Sequence, residues 1–315
     1  MRFTPALVYE AARLYYLEDA NQAVIAERLG TSRTTVSRLL SEARSSGVVQ
    51  VTLRDPTAEV TSDLGRELVS ALRLKGAYVV ASAPDIGLGR LMAPAVGAAL
   101  GGARLNPGDA LLVSSGATLH AVARERMPSL SGVVLCPTVG GVEEPEPHYQ
   151  TNEITRALAL KVGGIPIPLH APAMPTRALY AVLMKDTQIA GVRRYWRTAR
   201  AALLGVGGPP NQRSSLPGVI SLGRSRLPTA VGDICARPFD AAGRPLVFPG
   251  SDRLVAMELG DLRRVPHTIG VAVGAEKVPA ILAATRAGWI NTVVTDVPTA
   301  HGLIAEARRA GGQIG

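Results

Sequence analysis

Cysteine is nearly missing from this chain. Two in 315 residues, Cys136 and Cys235, cannot build a disulfide framework and have no metal-ligand neighbours at a usable spacing. Each lies in an apolar run and reads as a small core residue. The five histidines, His120, His148, His170, His267 and His301, show no HxxxH-type pairing, so no metal is expected. No apolar run reaches the length of a membrane span and no secretory signal segment precedes Thr4, which predicts a cytoplasmic protein with no membrane partner. There is no internal repeat and no low-complexity tract. Lysine is scarce as well, with four against thirty arginines. Where the composition supplies arginine for any plain positive charge, a lysine at a loop draws the eye.

What the chain does have is length for two domains, one small and one of ordinary α/β size. The net charge of +9 suggests a polyanionic partner without locating it. Residues 1–55 carry seven Arg and six acidic residues, so +8 of that charge lies beyond them. A DNA-binding reading must therefore rest on motif geometry.

Such a motif runs from Gln22 to Ser45, QAVIAERLGTSRTTVSRLLSEARS. Ala23, Ile25, Ala26 and Leu29 give one apolar face, and Gly30 stops that helix because glycine accepts the left-handed conformation. Ser32 suits the N-cap of a second helix, whose stripe is Val36, Leu39, Leu40 and Ala43. Arg33, Thr34, Thr35, Ser37 and Arg38 crowd the N-terminal half of its other face, with Arg28 and Thr31 close by. In a helix-turn-helix this is the end that enters the major groove, where arginine bridges guanine O6 and N7. The plain alternative is the solvated face of an ordinary helical hairpin. A bracing helix is expected over Thr4–Leu17, with Leu7, Val8, Ala11, Leu14 and Tyr15 inward, and a wing strand over Val48–Leu53. Arg54-Asp55-Pro56 ends that strand and sets the boundary between residues 1–55 and 56–315.

Beyond it, a helix over Thr57–Leu74 leads into alternating strands and helices. Strands are predicted at Ala77–Ala81, Ala110–Ser114, Val133–Pro137, Ile165–His170, Ala201–Val206, Thr268–Val273 and Asn291–Thr295. The rhythm predicts an α/β domain with a mainly parallel sheet covered on both faces, and ligands beyond the carboxyl ends of its strands.

Two loops there have the chemistry of an anion site. After an apolar strand, Ser114, Ser115, Gly116, Ala117, Thr118 and Leu119 combine hydroxyls with the free N–H groups of a helix start. The same residue types also make an ordinary strand-to-helix turn. At Gly274-Ala275-Glu276-Lys277 a second strand ends in a glycine turn, and Lys277 heads the next helix as a compact donor, if it is not simply solvated. Gly205-Val206-Gly207-Gly208 is not a dinucleotide loop, since Pro209-Pro210 denies it a helix start and no third glycine follows at the required spacing. No cofactor is expected. Arg193, Arg197 and Arg200 line one helical face beside Trp196, which could touch DNA or an acidic neighbour but reads better as a solvated face or a subunit contact.

The segment IAERLGTSRTTVSRLLSEARSSGVV resembles, without gaps from Gln22 to Val51, the DNA-binding domain of the SorC family of sugar-responsive bacterial regulators. From about Leu68 to Ala307 the large domain resembles the same family. The resemblance is carried by Gly87–Leu91, Ser114–Leu119, Val139-Gly140-Gly141, Asn152-Glu153-Ile154, His170–Ala173, Gly205–Gly207, Val231–Cys235, Gly274–Lys277 and Thr295-Asp296. It implies a winged helix-turn-helix joined to a Rossmann-like effector domain with a fold like sugar-phosphate isomerases and deaminases. It implies a phosphorylated sugar held at Ser115–Leu119 and Lys277, with Gly140, Gly141, Asn152, Glu153, Gly205, Gly207 and Asp233 nearer the sugar. The sequence departs from the family at Ser115, where tryptophan is common, and at Pro238, which replaces an aromatic.

The expected function is that of a regulator whose partners are a pseudo-palindromic operator DNA, a phosphorylated sugar and further copies of itself, as a dimer or tetramer. The competing reading is a sugar-phosphate isomerase or deaminase fused to a DNA-binding head. Such an enzyme needs a carboxylate base backed by a His or Lys acid. Asp233 or Glu153 would have to serve, and no His-centred cluster accompanies them.

Overall fold

The computed structural model describes residues 3–50, 58–83, 85–210 and 227–311. The chain separates into two compact units, Met1–Pro56 and Thr57–Gly315.

Three helices make the first unit: α1 (Pro5–Tyr16), α2 (Gln22–Arg28) and α3 (Arg33–Ser45). Their cluster is built from Val8, Ala11, Ala12 and Leu14 of α1, Ile25 and Ala26 of α2, and Val36, Leu39, Leu40 and Ala43 of α3. Ala23 and Tyr15, expected inside, lie on the outside, and Ala12 replaces Tyr15 in the core. Asn21, at the break after α1, caps α2 by accepting from the Ala23 and Val24 amides at 3.0 and 3.1 Å. Gly30 takes φ +58° at the turn, and the Ser32 hydroxyl accepts from the Thr35 amide at 3.1 Å. The expected wing strand is not seen over Val48–Gln50, which form bends, and its remainder lies outside the described residues.

The main sheet of the second unit has seven described strands, all paired in parallel: β1 (Gly76–Val80), β2 (Ala110–Val113), β3 (Val134–Pro137), β4 (Ile165–Pro166), β5 (Ala201–Gly205), β8 (His267–Val271) and β9 (Thr292–Asp296), in spatial order β1-β9-β8-β5-β2-β3-β4. Alternate strand residues face two separate cores. Leu112, Cys136, Ala202 and Leu204 join one cluster with Leu64 and Leu68 of α4 (Ala58–Leu72) and Trp196 of α9 (Thr187–Thr198). Leu111, Val113, Leu135 and Leu203 join the other with Met92 of α5 (Leu88–Gly102), Leu119 of α6 (Ala117–Val122) and Ile154 of α7 (Thr151–Val162). A period of two with both sets apolar is what a sheet buried on both faces requires.

The sequence reading differs from this unit at two places. β4 keeps only Ile165–Pro166 of the six residues expected, because Pro166 and Pro168 cannot donate to a ladder. An antiparallel hairpin, β6 (Ala230–Ile234) with β7 (Arg237–Asp240), was not foreseen. Its turn residues Cys235 and Ala236 take φ +53° and +58°, the geometry that hairpins usually assign to Asn-Gly, so the sequence carries no turn signal there.

From β2 the chain runs to β3 and β4 on one side, and later places β5 on the other. This reversal opens a crevice between the carboxyl ends of β2 and β5, where ligands of such sheets bind. The two ends are drawn tightly together. The buried Ser114 hydroxyl accepts from the Gly205 amide at 2.8 Å and donates to the Ser115 carbonyl at 3.2 Å. A Cβ at Gly205 would lie 2.5 Å from that carbonyl oxygen.

Two stability predictions follow from these contacts. Gly205→Ala should lower unfolding free energy by about 1–3 kcal/mol in a denaturant titration, the usual cost of forcing a methyl into a full site. An unchanged midpoint would mean that the β2 and β5 ends separate freely. Ser32→Ala should cost about 0.5–2 kcal/mol, seen as faster amide exchange at the start of α3.

Candidate functional site

The crevice widens into a cavity of about 330 Å3 at the carboxyl edge of the sheet. Its first wall is the loop from β2 to α6. Gly116 turns there with φ +141° and donates its amide to the His148 carbonyl at 2.9 Å, which leaves the first turn of α6 facing the cavity. No side chain caps α6, and its opening residues Ala117, Thr118 and Leu119 line the cavity with Ser115. First-turn amides have no helical carbonyl to reach, so the wall presents donors.

The second wall comes from the end of β8. Gly274 turns with φ +114° and donates to the buried Thr299 hydroxyl at 2.8 Å, which fixes where Lys277 leaves the turn. Lys277 lines the cavity, half-buried, with its Nζ 3.8 Å from Glu276 Oε1, longer than a hydrogen bond. The ammonium lies against the Gly205–Gly208 turn, since a Cβ on Gly208 would come within 3.1 Å of it.

That turn, with the β6–β7 hairpin, forms the third wall. Gly207 donates to the Asp233 carbonyl at 2.9 Å, and Gly205, Gly207 and Asp233 all line the cavity. The strained Cys235–Ala236 turn lines it too. Burial pushes the Cys235 thiol up to about 12, so it stays protonated and offers the site an apolar surface rather than a nucleophile.

Several residues assigned to the site by sequence lie elsewhere. Ser114 is buried beneath the loop, its hydroxyl used in joining β2 to β5. Gly274 shapes the turn without lining the cavity. Gly140 and Gly141 belong to a backbone ladder: their amides donate to Val255 and Ala171, and a Cβ on Gly140 would sit 2.6 Å from the Ala171 carbonyl oxygen. Asn152 uses both ends of its amide on the Leu169 backbone, at 2.9 and 3.0 Å. Glu153 is exposed and pairs with Arg156 at 3.0 Å. None of these four lines the cavity.

Two aromatic side chains were overlooked. His148 and Tyr149, ring centroids 4.2 Å apart, line the cavity from a short 3-10 turn, Pro147–Tyr149. No local pattern marks them, because the Gly116–His148 contact that brings them in spans the chain. His120 lies close to His148. Burial, with Arg124 and His148 adding to it, holds the His120 imidazole below its ordinary pKa. Among the described residues no group of His, Cys, Asp and Glu could hold a metal ion.

On the first unit, Arg33, Thr34, Ser37 and Arg38 are all exposed along the N-terminal half of α3. Ser32 and Thr35 are bound to each other, hydroxyl to hydroxyl at 2.9 Å, beside the cap. Thr31 is half-buried in the turn, its amide donating to Ala26. Arg28 pairs with Glu18 at 2.9 Å, and Glu18 also receives Arg13, so Arg28 is shared between a brace and the surface. No helix among the described residues is long and apolar enough to cross a membrane.

Known proteins resemble this chain over nearly its whole length. Residues 57–305 match the Sugar-bind family model, described as "Putative sugar-binding domain". The chain is 33% identical over 304 residues to the deoxyribonucleoside regulator of Bacillus subtilis (strain 168), covering 95% of this chain and 97% of that one. It is 30% identical over 308 residues to the sorbitol operon regulator of Klebsiella pneumoniae, covering 95% and 97%. The crystal structure of that full-length regulator, SorC, superposes with a TM-score of 0.73 at 28% identity, over 96% of this chain and 100% of the other. The relatives are transcriptional regulators rather than enzymes, with a helical N-terminal region and a seven-strand parallel sheet as found here. The chain belongs to the SorC family of sugar-binding transcriptional regulators.

Proposed function

We propose that the effector of this regulator is a phosphorylated sugar, bound in the β2–β5–β8 cavity, and that it controls operator binding by the first unit. The observation that carries the reading is that α6's first turn, with Thr118, and the half-buried Lys277 line the same cavity. A dianion gains from helix-end N–H groups and an ammonium, which a neutral sugar cannot do. Ser115, Gly116, Ala117, Thr118, Leu119 and Lys277 take the phosphate in this reading, with Gly205, Gly207 and Asp233 nearer the sugar. Ser114, Gly274, Gly140, Asn152 and their neighbours act by holding the walls.

Operator reading falls to Arg33, Thr34, Ser37 and Arg38, with Ser32, Thr35, Thr31 and Arg28 supporting the helix or meeting phosphates. One such helix covers too few base pairs to find a site in a genome. The protein therefore acts as a homo-oligomer, dimer or tetramer, on a pseudo-palindromic operator, with the second unit carrying most of the association.

Arg33→Ala and Arg38→Ala should each cost roughly 1–3 kcal/mol of operator affinity and relax base preference, measured by titration against operator variants. Wild-type preference in both would put the reading face elsewhere.

Melting temperature should rise with a phosphorylated sugar and hardly with its free form. At a hundred times the dissociation constant the folded state gains about 2.7 kcal/mol. Lys277→Ala and Thr118→Val should weaken that response and leave operator binding without ligand nearly intact. Equal responses to free and phosphorylated sugars would refute the phosphate assignment.

A further inference from the structure

Away from the effector cavity, on the sheet face covered by α9, lies a second cleft of about 200 Å3. Its floor is apolar, from Met184, Trp196, Leu254 and Val255, and Arg193 and Arg197 enter it from successive turns of α9. Arg193 is half-buried.

Several helical arginines of this chain come with their own acid. Glu10–Arg13, Asp63–Arg66, Glu153–Arg156 and Glu306–Arg309 are all ion pairs in which the acid stands three residues before the arginine. On α9 the residues three before Arg193 and Arg197 are Ala190 and Arg194. Two carboxylates do line the cleft, and both are engaged. Glu258 accepts from the buried Arg237 at 2.5 Å, and Asp261 pairs with Arg264 at 3.2 Å. Among the described residues Arg193 and Arg197 have no hydrogen-bond or ion-pair partner.

Like charges one turn apart on a helix repel, and a concave wall partly shielded from water strengthens that repulsion. Guanidinium groups aimed into an apolar-floored cleft match a planar or tetrahedral oxyanion through paired N–H donors. Arg264 lines the cleft as well, so three arginines stand there against two carboxylates. We propose that this cleft is a second anion site, taking a small organic oxyanion, a carboxylate or phosphate monoester on a short apolar body, independently of the effector cavity.

Trp196 lines the cleft, whereas the other tryptophan, Trp289, is buried against Phe239, so tryptophan emission gives a local readout. Butyl phosphate is titrated into the full chain at constant ionic strength, with sedimentation velocity run on the same samples. The wild type should show saturable change, Lys277→Ala should match it, and Arg193→Gln/Arg197→Gln should need about tenfold more ligand or worse. Arg197→Glu alone, at an exposed position, should show the same loss if the double variant folds poorly. Retained binding in the arginine variants, or loss in Lys277→Ala, would place the anion elsewhere and overturn the proposal. So would a wild type that ignores butyl phosphate while the arginine variants change their association state, since the arginines would then be meeting the carboxylates of a second copy.

Discussion

The effector unit depends on how closely the ends of β2 and β5 approach. One buried hydroxyl, Ser114, spans them by accepting from the Gly205 amide and donating to the Ser115 carbonyl. Without it a buried N–H would lose its acceptor, which costs more than a hydrogen bond contributes. The approach admits no side chain at position 205. It also turns the β2–α6 loop so that Gly116 meets His148, which brings in the 3-10 turn and its two rings. The cavity is thus the space left between loops that hold one another.

The glycines of this site serve its neighbours. A Cβ on Gly232 would lie 2.2 Å from the Gly207 carbonyl oxygen, so the hairpin and the β5 turn must both be bare to lie side by side. Gly208 leaves room for the end of Lys277. Charge placement has the same economy, with one lysine ammonium over a turn of backbone.

What was legible in the sequence was whatever repeats over short range. Seven apolar runs of strand length all became strands, since a parallel sheet covered on both faces needs no partner-specific pattern. The α2–α3 turn was legible because Gly30 and Ser32 each act within a few residues. The β2–α6 loop and Lys277 were legible as cavity walls because strand end, small polar residues and helix start are contiguous. The hairpin was not, because Cys235 and Ala236 hold a left-handed turn that their own chemistry disfavours and the surrounding packing imposes. The family resemblance alone put Asn152 near the sugar. Its true partner, the Leu169 backbone, lies 17 residues away and leaves no local trace. His148 escaped for the same reason.

The order of the strands also bears on how the chain is made. Among the described residues β1 is an edge strand paired with β9 alone, Gly76 with Thr292 through to Val80 with Asp296. During synthesis β1 emerges some two hundred residues before its mate. Until then the first strand of the unit has only helices to lie against, and its ladder groups stay open to water or to another chain. Closure of such a distant pair is slow and exposes an unpaired edge meanwhile. The helix leading into β1 waits as well, since α4 packs against the helix that follows β9, where Arg308 meets Glu67. The three-helix unit can form early from contacts close in sequence, whereas α4, at the start of the second unit, is secured last.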